Sequence, residues 1–153
     1  MKHAAPKQRF NLHGKRIAIV CARFYPEIAD QLLEGAKAAL HECGTAAHHI
    51  TTYDVSGCFE LPLAAARIIG QGRCDAVIAL GAVIRGQTPH FSYVAGECAR
   101  GLMDVQLDTG RPIGFGVLTT DTYEQAAERA DPNRGNKGYG AAMAVAGLLQ
   151  IPA

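Results

Sequence analysis

The chain has 153 residues, 48% of them hydrophobic and 19% charged, with 15 Lys and Arg against 14 Asp and Glu for a net charge of +1. That balance describes a folded domain with a substantial core and excludes a disordered chain. It also excludes the excess of basic residues on which nucleic-acid binding depends. No apolar run reaches membrane-spanning length, because the longest are broken by Gly, Arg or Asp. The first ten residues are polar and carry Lys and Arg, without the apolar segment of a secretory signal. A single cytoplasmic domain over residues 1–153 is therefore expected, with 1–8 as a flexible tail and neither nucleic acid nor membrane as a partner. The five cysteines (Cys21, Cys43, Cys58, Cys74 and Cys98) include no CxxC pair, so no metal site is expected. Their odd number and wide spacing argue against a disulfide framework. Cys21 and Cys74 adjoin strand-like runs and read as small buried hydrophobes.

In chain order, 10–12 is a candidate extra strand ahead of the core, and the β-branched run at 15–21 (KRIAIVC) predicts the first core strand. Residues 26–43 follow as a helix with Ile28, Leu32, Ala36 and Leu40 on one stripe, stopped by Gly44. Residues 48–55 read as a strand, and 59–69 as a helix with Pro62 in its first turn. The run at 75–84 (DAVIALGAVI) is almost continuously apolar, as a strand buried on both faces of a parallel sheet must be. A long helix over 90–107, a buried strand over 112–119, a short helix over 123–129 and an Ala-rich helix over 138–149 complete the chain. This alternation predicts an α/β protein: a three-layer α/β/α sandwich around a four-stranded parallel sheet, flavodoxin-like, joined by right-handed crossovers. Ligands of such folds bind beyond the carboxyl ends of the strands. The loops at 22–26, 56–60, 85–90 and 119–121 are thus where function is to be sought.

The most informative stretch is GAVIRGQTPHF at 81–91. A strand ends at Ile84, and a helix opens with Thr88 as N-cap and Pro89 as first helical residue. Free N–H groups at a helix start attract anions, and Gly86 lets a phosphate approach the backbone. His90 falls in the first turn, where the positive end of the helix dipole disfavours imidazolium and leaves a neutral ring able to take a proton. The same block, taken alone, also describes a capped helix with a surface histidine. Glu60, in SGCFELP, is either an acid complementing a helix start or an acceptor for a polyhydroxy chain. Phe24, in ARFYP, is either a core edge or a flat surface on which a heterocycle stacks. Arg129 and Lys137 flank a polar turn that reads as a solvated basic loop, or as one that supplies the Arg fork a phosphate-binding site wants. Asp121 and Glu124 resemble a capping-box pair.

ARF at 22–24, GCFELP at 57–62, GAVIRGQTPHF at 81–91, FGVLTT at 115–120, ERA at 128–130 and GNKG at 135–138 resemble, in order and spacing, the motifs of the lumazine synthase family. The resemblance runs from about Arg9 to Leu149. It implies condensation of 5-amino-6-ribitylaminouracil with 3,4-dihydroxy-2-butanone 4-phosphate to 6,7-dimethyl-8-ribityllumazine, phosphate and water, with no metal or organic cofactor. By the same resemblance, Phe24 stacks on the pyrimidine, and Cys58, Phe59 and Glu60 meet the ribityl chain. Val83 and Ile84 line the heterocycle site, and Gly86, Gln87 and Thr88 cradle the phosphate. His90 is the general acid/base, while Phe115, Arg129 and Lys137 complete the site, with Phe115 and Arg129 supplied by a neighbouring subunit. The family resemblance also implies a homo-oligomer. A pentamer is favoured over a sixty-subunit icosahedral shell or a decamer, with residues 9–12 adding a strand to a neighbour's sheet; association with riboflavin synthase is a further implied partnership. The chain departs from the family pattern at Tyr25 (commonly Asn), Cys58 (Ala or Ser), the turn at Asp131-Pro132 (often Gly-containing) and Gly140, where an acid assisting near the catalytic histidine is expected. The rival readings are a lumazine or flavin carrier built on the same fold, which the absent acid at Gly140 would suit, and an unrelated flavodoxin-like nucleotide-binding module. The second lacks both a GxGxxG and a Walker element in this sequence.

Overall fold

The computed structural model describes residues 10–153; the tail expected over 1–8 lies outside the described residues. Four strands alternate with helices: β1 (Ile17–Ala22), α1 (Pro26–Glu42), β2 (Ile50–Val55), α2 (Leu61–Gly70), β3 (Ala76–Ile84), α3 (His90–Thr109), β4 (Ile113–Thr120), α4 (Tyr123–Ala130) and α5 (Lys137–Leu148). All strand pairs are parallel and the spatial order is β2-β1-β3-β4. This is the three-layer α/β/α arrangement that the sequence predicts.

The two faces of the sheet carry separate cores. On one, Ile17, Ile19, Ile78 and Leu80 pack against Ile28, Leu32 and Leu40 of α1, Ala126 of α4 and Val145 of α5. On the other, Val20, Val77, Val83 and Val117 pack against Leu61 and Ile68 of α2 and Cys98 and Leu102 of α3. Every residue of β1 is buried, and β3 is buried throughout except at Ile84, as central strands covered on both faces require. The close approach of α1 to α5 depends on small residues: a Cβ on Gly138 would lie 2.0 Å from the Leu32 carbonyl oxygen. Gly44 adopts φ +83°, the left-handed conformation that ends a helix without a Cβ penalty.

Two local expectations need correction. The segment 48–55 does not begin as strand: a single 3-10 turn, Ala47–His49, precedes β2. The helix expected over 59–69 starts as another 3-10 turn, Cys58–Glu60, before α2. Residues 10–12 form no strand within the chain. Instead, the Leu12 amide donates to the Cys43 carbonyl at 2.8 Å and Leu12 is fully buried, so the segment closes over the end of α1.

All five cysteines are buried free thiols, Cys21 and Cys74 as the sequence suggested. No helix among the described residues is long and apolar enough to cross a membrane.

Candidate active site

From β1 the chain steps outward to β2, then returns over the sheet to β3 beside β1. The connections leaving β1 and β3 therefore run to opposite faces, and a crevice opens between them at the carboxyl ends of the strands. Three loops meet there.

The first follows β1. The Arg23 amide donates to the Val55 carbonyl at 2.9 Å, its Nε pairs with Asp54 at 2.9 Å, and Nη1 pairs with Asp30. These bonds tie the loop to β2 and α1, and leave the next residue, Phe24, 72% exposed at the mouth of the crevice. An aromatic ring so little covered is available for stacking. Tyr25 packs edge-on against it with ring centroids 5.0 Å apart. Tyr25 occupies the N-cap of α1 without making a side-chain cap, so the departure from Asn gives up a capping bond and gains an aromatic wall.

The second loop follows β2. The Glu60 carboxylate reaches back to accept from the Gly57 amide at 3.1 Å through Oε2. That oxygen closes the turn, and the residue also lines the crevice. Cys58 forms the floor. Its thiol is held well above the ordinary range by its hydrogen bond with Cys98 and then by burial, so it stays protonated and acts as a small polar contact. A Cβ on Gly81 would lie 2.7 Å from the Cys58 sulfur and 2.8 Å from Ala22 Cβ, so glycine in β3 makes room for that floor.

The third loop follows β3. Here the helix opens one residue later than expected: Pro89 is the N-cap and His90 the first residue of α3. Thr88 is not the cap, although its hydroxyl accepts a long 3.4 Å bond from the His90 amide. Proline offers no capping side chain, so the amides of the first turn of α3 receive nothing from the N-cap residue. A Cβ on Gly86 would meet nothing within 4 Å, which leaves the backbone open to a ligand.

Phe24, Cys58, Phe59, Glu60, Val83, Ile84, Gly86, Thr88 and His90 all line one cleft of about 550 Å³, a size suited to a small-molecule substrate. Gln87 belongs to the same loop but does not line the cleft. Tyr25, Ser56, Phe91, Tyr93 and Val94 also line it and were missed from the sequence. Tyr93, 70% exposed, had a readable signal, since it lies three residues after His90 on the same helical face.

Phe115, Arg129 and Lys137 are elsewhere. They line a second depression of about 590 Å³ along the outer edge of the sheet at β4, together with Gly140 and Leu148. Phe115 is 48% exposed although it lies in a strand, and Arg129 spends one guanidinium nitrogen on the Gln125 carbonyl at 3.0 Å. The capping pair at the start of α4 is also corrected. Thr122 and Gln125 cap that helix, while Asp121 pairs with Arg85 at 2.9 Å and Glu124 takes no part. Among the described residues, no group of three or more His, Cys, Asp or Glu side chains could hold a metal ion.

Residues 14–153 match the sequence profile of the family described as 6,7-dimethyl-8-ribityllumazine synthase. The 6,7-dimethyl-8-ribityllumazine synthase of Syntrophus aciditrophicus (strain SB) is 49% identical over 138 residues, 90% of each chain. That of Desulfatibacillum aliphaticivorans is also 49% identical over 138 residues, 90% of this chain and 89% of the relative. With a profile match over nearly its whole length and 49% identity over 138 aligned residues to relatives of like size, the chain belongs to the 6,7-dimethyl-8-ribityllumazine synthase family.

Proposed function

We propose that the protein is the lumazine synthase of riboflavin biosynthesis, a transferase that condenses 5-amino-6-ribitylaminouracil with 3,4-dihydroxy-2-butanone 4-phosphate and releases phosphate and water. The observation that carries this reading is the division of the family's site residues between two surfaces of one chain. The cleft holds Phe24, Glu60, Ile84, Gly86, Thr88 and His90, and the β4 edge holds Phe115, Arg129 and Lys137. Each surface is half of a site, and a neighbouring copy that lays its β4 edge over the cleft completes it.

In this reading the pyrimidine stacks on Phe24 between Val83, Ile84 and the neighbour's Phe115. The ribityl hydroxyls meet Cys58, Phe59, Glu60 and the neighbour's Lys137. The phosphate rests on Gly86, Gln87 and Thr88 beside the open start of α3, facing the neighbour's Arg129, where backbone donors and a guanidinium fork favour a dianion. The amine of the pyrimidine attacks the ketone, loss of water gives an imine, elimination of phosphate leaves an enol that tautomerises to a carbonyl, and the second amine closes the ring on that carbonyl with loss of a second water. Each step moves a proton, and in this reading His90 carries it; its position as the first residue of α3 in the cleft lining supports that role. Much of the remaining acceleration comes from holding two reactants together.

The surface of the chain supports assembly. Of the twenty residues of α3 only Cys98 and Leu102 are buried, while Tyr93, Met103 and Leu107 are exposed, as are Phe115 and Leu148 near the β4 edge. Apolar surface of this kind is covered in a stable assembly. A pentamer is the favoured form, with residues 9–12 adding to a neighbour's sheet edge.

The test is a steady-state assay with both substrates, following lumazine absorbance and released phosphate. Wild-type protein forms product; His90→Ala lowers kcat about 10²-fold or more while substrate binding survives, and Arg129→Ala abolishes the phosphate-dependent step. Tight lumazine or flavin binding without turnover would establish a carrier instead.

A further inference from the structure

Arg85 stands between the last residue of β3 and the loop Gly86–Thr88, yet it does not line the cleft. Its groups are committed elsewhere. Its amide donates to the Thr120 carbonyl at 2.9 Å, joining the ends of β3 and β4. Its Nε donates to Asp121 Oδ1 at 2.9 Å. Its guanidinium carbon lies 4.5 Å from the centroid of the Phe91 ring, within the range of a cation–π contact. Asp121 is itself anchored, because its amide donates to Gln125 Oε1 at 2.8 Å in the capping box of α4. Phe91 lines the cleft and follows His90 directly. A continuous set of contacts therefore runs from the start of α4, through Asp121 and Arg85, to the residue beside His90.

We propose that Arg85 is a positioning residue: with Asp121 and Phe91 it forms a clamp that fixes the Gly86–Thr88 loop and the first turn of α3, and thereby the aim of His90. The proposal rests on the lumazine synthase reading of the cleft. The residue types suit the task. The planar guanidinium can pair with a carboxylate through one edge while its face lies on a ring, which an ammonium cannot reproduce. The ion pair is solvent-exposed, with side-chain exposures of 52% and 69%, so its effect on stability is small. Its effect on turnover is larger, because displacing a reacting group by a fraction of an ångström costs rate directly.

The alternative role for an arginine beside a phosphate loop is direct binding of the phosphate, and the two roles give opposite signs at Asp121. If Arg85 clamps, Asp121→Asn loosens it and lowers kcat. If Arg85 binds phosphate, Asp121→Asn releases the guanidinium and tightens phosphate binding. The experiment measures kcat, KM for the butanone phosphate and the inhibition constant of inorganic phosphate for the assembled wild-type enzyme, Arg85→Ala, Arg85→Lys, Asp121→Asn and the Arg85→Ala/Asp121→Asn double variant. The clamp predicts that Arg85→Ala lowers kcat about five- to tenfold, the combined effect of one exposed ion pair and one cation–π contact. KM and the phosphate constant stay within about twofold. Arg85→Lys recovers part of the loss through the ion pair alone, Asp121→Asn falls in the same direction, and the double variant is no worse than Arg85→Ala. A tenfold weaker phosphate constant in Arg85→Ala with tighter phosphate in Asp121→Asn overturns the clamp, and so does an unchanged kcat in both single variants. If Arg85→Ala fails to assemble, Asp121→Asn alone decides by the direction of its change. Loss of activity already in the wild-type protein would instead refute the lumazine synthase reading on which the clamp is built.

Discussion

Replacing Asn136 by alanine removes a side chain on which three elements converge. Asn136 is 7% exposed; its Nδ2 donates to the Gln31 carbonyl of α1 at 2.7 Å and to the Ala130 carbonyl at the end of α4 at 2.6 Å. Its Oδ1 accepts from the Tyr139 amide at 2.9 Å, which makes it the N-cap of α5. The side chain fits against Gly35, where a Cβ would lie 2.0 Å from the amide oxygen. Loss of an N-cap costs about 1 kcal/mol, and leaving two carbonyls without their donor costs on the order of 1 kcal/mol each. Asn136→Ala is thus expected to destabilise the fold by roughly 3 kcal/mol, which lowers Tm by about 6–12 °C for a chain of this size. Asn136→Asp separates the contributions. It keeps the cap acceptor but sets a carboxylate against two carbonyl oxygens, so it should be less stable than Asn136→Ala despite the smaller change in shape. Both are read by thermal and urea denaturation at fixed protein concentration, since the assembly proposed above would contribute to apparent stability. Because Asn136 holds the end of α4 to the start of α5, it also sets Arg129 relative to Lys137, and KM for the butanone phosphate should rise in whatever Asn136→Ala enzyme folds. A loss below about 1 kcal/mol, or an Asp variant as stable as wild type, would refute the assignment of Asn136 as a donor-dependent junction.

Gly140 sits in α5 beside Arg129 and Lys137, and a Cβ there would meet nothing within 4 Å. Gly140→Ala should stabilise the helix by about 0.5–1 kcal/mol, whereas Gly140→Glu should also raise turnover by restoring the acid that the family resemblance places near His90; equal rates in the two variants would remove that role. Gly81→Ala should cost about 1–3 kcal/mol, because the new methyl meets the Cys58 sulfur and Ala22 Cβ. Cys58→Ala should recover part of that loss when combined with it, as denaturation of the double variant can check. Two of the groups that hold their protons more tightly in the fold contribute to the alkaline limb of stability. Burial pushes the Cys21 thiol up from 9.0 to about 11, and the hydrogen bond to Glu42 pushes the Tyr139 phenol up from 10.0 to about 12. The folded state holds these protons more tightly than the unfolded state. Their contribution is therefore complete below about pH 9 and is lost as pH rises toward 11–12. A urea midpoint that stayed flat across that range would contradict both assignments.

The apolar runs and their helical intervals determined the layered α/β fold without any structural information. A strand such as Ala76–Ile84, apolar at nearly every position, has no other stable place than the middle of a covered parallel sheet. The motif residues after β1, β2 and β3 were legible for the same reason: loops at the carboxyl ends of such a sheet must meet. Local chemistry at element ends was less legible. Thr88 and Asp121 both read as caps, but Pro89 and Thr122 hold those positions, because a shift of one residue at a helix start costs little in local free energy and is decided by what the side chains reach. Asp121 finds Arg85 across the sheet end, 36 residues away, and Asn136 finds Gln31 at a separation of 105; no local pattern encodes such pairs. The fold also decided that Phe115, Arg129 and Lys137 do not join the cleft of their own chain. Periodicity assigns a residue to a strand or a helix, but only the order β2-β1-β3-β4 puts β4 at the edge, and so turns those side chains toward a surface that another copy can cover.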